Sequence, residues 1–189
     1  MKTWGNLKRE IISLGFEKDT TVDKYSQIIM TATNRALAMI CATVRPLKKV
    51  LQVEQTETTT HRVPLLVNDY MGLFLPAKKR GTMESVPSVE TVNGSVMIEG
   101  AGAFDIYYSA KPKAVDVSTQ DDYVFELDDD VAELLPLLAS YFIWLDDDER
   151  KAVMYWNNYE DLKSQFLAME NKAKPVTARV LKSGTSVFM

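Results

Sequence analysis

The sequence predicts an α+β protein: a helical bundle of about four helices with an inserted antiparallel β-sheet or sandwich and an extended C-terminal arm. Apolar residues recur at helical spacing near both ends of the chain, while the middle is rich in β-branched residues, glycine and proline. The last residues show neither pattern. The expected parts are an N-terminal helix pair (1–48), a β-rich insertion (49–125), a C-terminal αα-hairpin (126–172) and the arm (173–189).

Two helices are expected in the first part of the chain, over about 4–14 and 22–44. Thr3 is typical of an N-cap residue, whose hydroxyl accepts a hydrogen bond from a backbone N–H of the first turn. Gly15 is typical of a helix end at which glycine adopts the left-handed conformation. Pro46 should end the second helix, because proline disfavours helical geometry in the residue before it.

The insertion is expected to form four or five strands, the last of them over 122–127. Asn93-Gly94 lies between two β-branched runs, which is the strongest short signal for a β-hairpin. The loop 75–85 carries three consecutive basic residues and a glycine, and we expect it to be the least ordered part of the insertion.

Helical periodicity returns over 131–145 and 152–169, and the short acidic link between these segments predicts an antiparallel αα-hairpin. Pro136 lies inside the first segment, so the helix either kinks there or begins anew. The hairpin contains more aromatic residues than one narrow stripe can bury. Some of them are therefore expected at a second, contacting surface; the candidates are Tyr141, Trp144, Tyr155 and Trp156.

Composition excludes several classes of protein. The net charge of -4 and the pI near 5.1 argue against a protein that grips nucleic-acid backbone. Cys41 is the only cysteine, so one chain forms no internal disulfide, and a reducing compartment is favoured. No signal peptide and no apolar run of about 18 residues is found. We expect no membrane association and synthesis in the cytoplasm.

Two triplets of aspartates, 128–130 and 146–148, are the strongest candidates for chemistry. A calcium loop needs carboxylates at alternating positions and a glycine at its turn, and neither triplet meets that requirement. Aspartate before a helix instead caps backbone N–H groups and opposes the helix dipole. We therefore expect both triplets to begin helices rather than to bind metal.

His61 is the only histidine, which excludes a multi-histidine zinc site. No serine lies in a G-x-S-x-G motif, and Gly100–Ala103 lacks the spacing of a phosphate-binding loop. The sequence therefore predicts a protein that is not an enzyme, with no catalytic residues, no cofactor and no metal. An enzyme that uses His61 with nearby acids remains an alternative.

Several short stretches of the chain follow one another in a characteristic order. They are Tyr70 within the insertion, Glu126-Leu127, Leu134-Leu135-Pro136 with Ala139-Ser140-Tyr141, Leu145-Asp146-Asp147-Asp148 with Lys151-Ala152, and Tyr155 with Asn158-Tyr159-Glu160. With these stretches the sequence resembles the head–tail connector, or adaptor, proteins of tailed bacteriophages. The insertion is longer than in the simplest all-helical members of that family.

The resemblance implies a structural virion protein of the phage neck, made in the cytoplasm of the bacterial host. It implies a ring of about a dozen copies beneath the portal, closed by contacts between neighbouring copies. The implied partners are the portal protein and a downstream stopper or tail-completion protein. DNA would pass through the ring without sequence-specific binding.

The resemblance also places portal or subunit contacts on the C-terminal arm. The residues concerned are Pro175, Val176, Val180, Leu181, Val187, Phe188 and Met189. Two alternatives remain open at this point: a stopper or tail-completion protein of the same neck, and a β-sandwich module that binds a host protein or carbohydrate through the insertion.

Overall fold

A computed structural model of the chain describes residues 1–16, 22–56, 61–64, 68–91 and 95–173. The elements, in chain order, are α1 Trp4–Gly15, α2 Val22–Thr43, β1 Leu47–Gln55, β2 His61–Pro64, β3 Tyr70–Leu73, β4 Lys78–Lys79, β5 Ser88–Glu90, β6 Ser95–Ile98, β7 Gly102–Ala110, α3 Asp129–Ala132, α4 Leu134–Trp144 and α5 Glu149–Ala173. Helices at both ends of the chain and antiparallel sheets between them confirm the predicted α+β class. Of the predicted arm 173–189, residue 173 is the last of α5, and 174–189 lie outside the described residues.

The bundle is built around α4, which contacts α1, α2 and α5. Nearly every residue of α4 is apolar, so the helix can be buried on most of its surface. Leu135 and Leu138 of α4 are fully buried together with Leu7, Ile40 and Tyr159 of the surrounding helices. Burial of a leucine or isoleucine side chain stabilises a fold by about 1.5–3 kcal/mol, so these contacts are a main source of the bundle's stability.

The insertion forms two antiparallel sheets. One has the order β1-β7-β3, with β4 also paired to β7, and the other has the order β2-β6-β5. A separate core of Ala77, Val96, Ile98, Phe104 and Ile106 lies between them. Asn93 and Gly94 lie outside the described residues, although β5 and β6, on either side of them, pair antiparallel.

The segment 122–127 does not form a strand, so this part of the prediction was wrong. Val124 makes only an isolated bridge with Thr3. The N–H of Trp4 donates to the carbonyl of Tyr123 over 2.8 Å, and the ring of Phe125 meets the ring of Trp4 edge-on at 6.3 Å. This segment therefore belongs to the bundle, where Phe125 is buried in the core.

The loop 75–85 is anchored rather than loosely attached, contrary to expectation. Ala77 is fully buried, and its N–H donates to Ser88 Oγ over 3.0 Å. The next two lysines form β4 against β7. Gly81 then turns the chain with a φ of 76°, which is unfavourable for residues with a side chain.

The helix ends agree with the predicted signals at three places and differ at one. Thr3 Oγ1 accepts a hydrogen bond from the N–H of Asn6 (3.3 Å), which confirms the cap of α1. Helix α2 ends before Pro46, and Pro136 lies in the first turn of α4, where a missing N–H costs little. Gly15, however, is not among the residues with positive φ. Glycine is needed at this position because Trp144 lies so close that a Cβ atom would overlap its indole ring.

Candidate interaction faces of the helical bundle

The acidic link between α4 and α5 is a helix cap. Asp148 Oδ1 accepts hydrogen bonds from the N–H groups of Arg150 and Lys151, each 3.1 Å long. These two N–H groups belong to the first turn of α5 and have no partner within the helix. In the part of the chain that the structure describes, no group of His, Cys, Asp and Glu residues is placed to hold a metal ion.

Asp148→Ala is expected to lower the free energy of unfolding by about 0.5–2 kcal/mol, because two backbone donors lose their acceptor. Asp147→Ala is the matched control. The side chain of Asp147 makes no hydrogen bond or ion pair with the described residues, so its loss should change stability little. Urea denaturation followed by circular dichroism measures both. Equal losses in the two variants would contradict the assignment of the cap.

The triplet 128–130 begins the short helix α3, as expected, with Asp129 and Asp130 in its first turn. Asp128 precedes α3, but its side chain makes no capping hydrogen bond. It forms an ion pair with Arg45, just after α2. Asp129 lies 2.8 Å from the N-terminal amine. These exposed pairs connect the start of the chain and the end of α2 to the short α3.

A polar cluster joins the sandwich to the bundle. Lys49 Nζ lies 2.9 Å from Asp69 Oδ2 and 3.0 Å from Glu126 Oε2, and the Tyr108 hydroxyl donates to Asp69 over 3.3 Å. The hydrogen bonds to Asp69 and Glu126 hold the pKa of Lys49 above its ordinary value. Because Lys49 stays protonated, its amine is not available as a general base or nucleophile near neutral pH, and we interpret the cluster as a structural connection.

The thiol of Cys41 is not placed for nucleophilic chemistry. Cys41 is 2% exposed, and burial raises the pKa of its thiol to about 11, which disfavours the nucleophilic thiolate. His61 lies in β2, where its backbone pairs with Ile98.

A cleft of about 730 Å³ lies between the bundle and the sandwich. It is lined by Arg45, Lys48 and Asp128 among others.

Two of the predicted contact residues, Tyr155 and Trp144, connect parts of the same chain. Tyr155 is buried, and its hydroxyl donates to the carbonyl of Leu14. The ring of Trp144 lies 5.2 Å from that of Phe16, with the ammonium of Lys151 at 3.8 Å from its centre. Both residues attach the end of α1 to the hairpin.

The other two, Tyr141 and Trp156, reach the surface. Both are half-buried, and their ring centres are 5.0 Å apart. Leu145, one turn after Tyr141, is 37% exposed, and Val153, about one turn before Trp156, is 51% exposed. Residues three or four apart lie on the same side of a helix. Tyr141, Leu145, Val153 and Trp156 therefore form one apolar surface, here called the hairpin face.

A second apolar surface lies on the other side of α5. Lys151 Nζ donates to the carbonyl of Gly15 over 3.1 Å, so this side of α5 is turned towards the end of α1. Met154, about one turn later, is 47% exposed, and Leu14 and Ile28 are exposed nearby. Leu14, Ile28, Trp144 and Met154 are here called the α1-end face. A cleft of about 360 Å³ opens beside Trp144 and Ile28.

Sequence reasoning did not identify Ile28, Leu145, Val153 or Met154 as surface residues. A usable signal existed for two of them. The run Ala152–Trp156 is apolar throughout, yet only Ala152 and Tyr155 fall on the buried stripe. Since 100° separates successive residues of a helix, Val153 and Met154 had to lie outside that stripe. The arm residues Pro175 to Met189 lie outside the described residues, and their proposed contacts stay a prediction.

None of the helices in the described ranges is both long and apolar enough to cross a membrane. Compared with models of known protein families, the chain matches none, and a comparison with curated proteins gives no match either. Function must therefore be argued from the residues and their geometry.

Proposed function

We propose that the protein is a head–tail connector (adaptor) of a tailed bacteriophage, a structural protein that forms a ring beneath the portal and extends the DNA channel toward the tail. The observation that carries the proposal is the presence of two different apolar faces on the two sides of α5. The sequence resemblance supplies the biological setting.

A ring of identical subunits needs heterologous contacts, in which one face of each copy meets a different face of the next. The hairpin face offers Tyr141 and Trp156 with exposed Val153. The α1-end face offers exposed Ile28 and Met154, with a cleft that Ile28 and Trp144 line. Tryptophan and tyrosine are enriched in protein interfaces, where they often dominate the binding energy. The two faces thus have the composition that contact between neighbouring copies requires.

The charge of the protein fits passage of DNA rather than binding of DNA. With a net charge of -4, a ring of many copies is strongly acidic. An acidic channel repels phosphates and lets DNA slide, whereas a basic channel would hold it. On this proposal the partners are the portal above, neighbouring copies to the side, and a stopper or tail-completion protein below.

The separate core of the sandwich favours a second candidate, a module that binds a host protein or carbohydrate. Val89 on β5 is 63% exposed and lines a small depression with Pro87 and Met97. This candidate requires binding by the isolated protein without any portal. A stopper protein, the closer alternative, would attach only to particles that already carry an adaptor.

Deletion of residues 175–189 is expected to abolish attachment to portal-bearing capsids and to leave the folded domain intact, because on this proposal the arm contacts the portal while the bundle core is formed by other residues. Co-sedimentation with capsids measures attachment, and thermal unfolding measures the fold. A matched pair of triple variants gives a finer test. In one variant, the apolar Val187, Phe188 and Met189 are changed to serine, and this variant should lose attachment. In the control variant, the polar Ser183, Thr185 and Ser186 are changed to alanine, and this variant should still attach. Unchanged attachment of the deletion variant would refute the role of the arm.

A further inference from the structure

Strand β1 has an open edge. It is nine residues long and occupies one end of the order β1-β7-β3. Among the residues that the structure describes, no strand pairs with β1 on the side away from β7, and no backbone hydrogen bond joins that side to a loop or turn. A long unpaired edge presents a row of N–H and C=O groups that can pair with another strand.

The hydrogen bonds of β7 show which groups of β1 face this open side. The carbonyl of Tyr107 accepts from Phe74 (3.3 Å), and the carbonyl of Ala103 accepts from Arg80 (2.9 Å). The backbone N–H and C=O groups of these two residues of β7 therefore point towards β3 and β4. Since backbone groups alternate in direction along an antiparallel strand, the residues between them are directed towards β1.

The register then identifies the open groups of β1. Phe104, Ile106 and Tyr108 lie opposite Val53, Leu51 and Lys49. The intervening residues of β1 direct their N–H and C=O groups away from β7. They are Lys48, Val50, Gln52 and Glu54. The side chains of all four are exposed on the outer face of the sheet.

We propose that β1 of one copy pairs antiparallel with β1 of a second copy, about a twofold axis through Leu51. In this register Lys48 lies opposite Glu54 of the second copy, and Val50 lies opposite Gln52 of the second copy. All four outward-directed residues then exchange backbone hydrogen bonds. The two Lys–Glu pairs, one at each end of the shared ladder, are cross-strand pairs of opposite charge, which stabilise a sheet.

Charge complementarity selects this register over its neighbours. Pairing about Val50 places Lys48 opposite Gln52 and leaves Glu54 opposite Pro46, which has no N–H to donate. Pairing about Gln52 places Val50 opposite Glu54 and moves Lys48 beyond the end of the partner strand. Each alternative shortens the ladder and removes both ion pairs. A charged edge also discourages pairing with unrelated strands, so the same residues favour a second copy of this chain.

The contact is independent of the proposed ring. It uses the sheet and not the two faces of the bundle, and it predicts a symmetric dimer of the free protein. If the protein forms no ring, the β1–β1 pairing is not contradicted. If no β1–β1 dimer forms, the adaptor proposal is not contradicted.

A mixing experiment with charge-reversed variants of the full chain tests the pairing. Lys48→Glu alone places glutamate opposite glutamate, and Glu54→Lys alone places lysine opposite lysine. Each is expected to raise the dimer dissociation constant, measured by sedimentation velocity, by about tenfold or more. An equimolar mixture of the two should regain a dissociation constant near that of the unchanged protein, because Lys–Glu pairs are restored between unlike chains. A protein that is monomeric at all concentrations, or a mixture no tighter than its components, would overturn the proposal.

Cross-linking tests the register, also in the event that charge reversal disturbs the fold. Cα atoms of a hydrogen-bonded antiparallel pair are about 5.5 Å apart, which suits a disulfide. Val50→Cys mixed with Gln52→Cys should give an oxidised heterodimer, and neither variant alone should cross-link efficiently. Cys41, 2% exposed, should stay unmodified. Efficient cross-linking of either variant with itself, or none in the mixture, would contradict pairing about Leu51.

Discussion

On the adaptor proposal, Val153→Asp is expected to abolish ring assembly on portal-bearing capsids while the protein itself stays folded. Val153 is 51% exposed in the free subunit, so a carboxylate there is solvated and costs the fold little. In the ring the same carboxylate would be buried in the hairpin face without a partner, which typically costs several kcal/mol. The cost recurs at every contact between neighbours, so the loss of assembly should be complete rather than partial.

The control for this variant is Gln165→Glu, which adds the same charge at an exposed position of α5 twelve residues, or about 18 Å, beyond Val153 and outside both faces. It should assemble like the unchanged protein. Electron microscopy of purified particles counts the rings, and thermal unfolding verifies the fold of both variants. Normal rings with Val153→Asp would exclude the hairpin face from the contact.

Gly15→Ala is expected to destabilise the bundle by about 1–3 kcal/mol, the usual range for overpacking. A Cβ at Gly15 would overlap Trp144 Nε1 and would lie 3.1 Å from Trp144 Cε2 and 3.2 Å from the Tyr155 hydroxyl. Alanine normally stabilises a helix relative to glycine. A loss of stability in Gly15→Ala would therefore reflect the close packing against Trp144, and a gain would reflect helix propensity. Guanidinium denaturation measures the free energy of unfolding.

A double variant tests the cause. Trp144→Phe removes the indole nitrogen that the new methyl group would meet, so its combination with Gly15→Ala should be less destabilising than the sum of the two single variants. Strict additivity, or a gain of stability in Gly15→Ala, would show that the close approach of Trp144 is not what requires glycine at this position.

Local signals in the sequence were sufficient to predict where the helices begin and end. The Thr3 hydroxyl caps α1 by accepting a hydrogen bond from the N–H of Asn6, three residues later. Helix α2 ends before Pro46, because proline disfavours helical geometry in the residue before it. The same holds for the acidic link, although the cap is Asp148 and not the whole triplet. Signals of this kind act within a few residues and can be recognised without knowledge of the fold.

The errors concern contacts between distant parts of the chain. The segment 122–127 has the composition of a strand, but its backbone bonds to the start of α1 and Phe125 enters the bundle core. The loop 75–85 has a polar sequence, but burial of Ala77 anchors it. For Gly15, the decisive neighbour is Trp144, more than a hundred residues away. No local pattern indicates such partners.

The candidate faces could be predicted only in part. Tyr141 and Trp156 reach the surface, and their contact with another copy stays a prediction. Trp144 and Tyr155 connect α1 to the hairpin. Surplus aromatic residues indicate that some must leave the core, but the sequence does not say which. That choice depends on where α1 ends against α5.

Electron microscopy of portal-bearing capsids incubated with the purified full-length protein tests the central claim most directly. The adaptor proposal predicts a ring of added density beneath the portal, coaxial with it and leaving an open central channel. Capsids without a portal should show no such density. Absence of a ring on portal-bearing particles that are saturated with protein, or binding of the protein elsewhere on the capsid, would contradict the proposal.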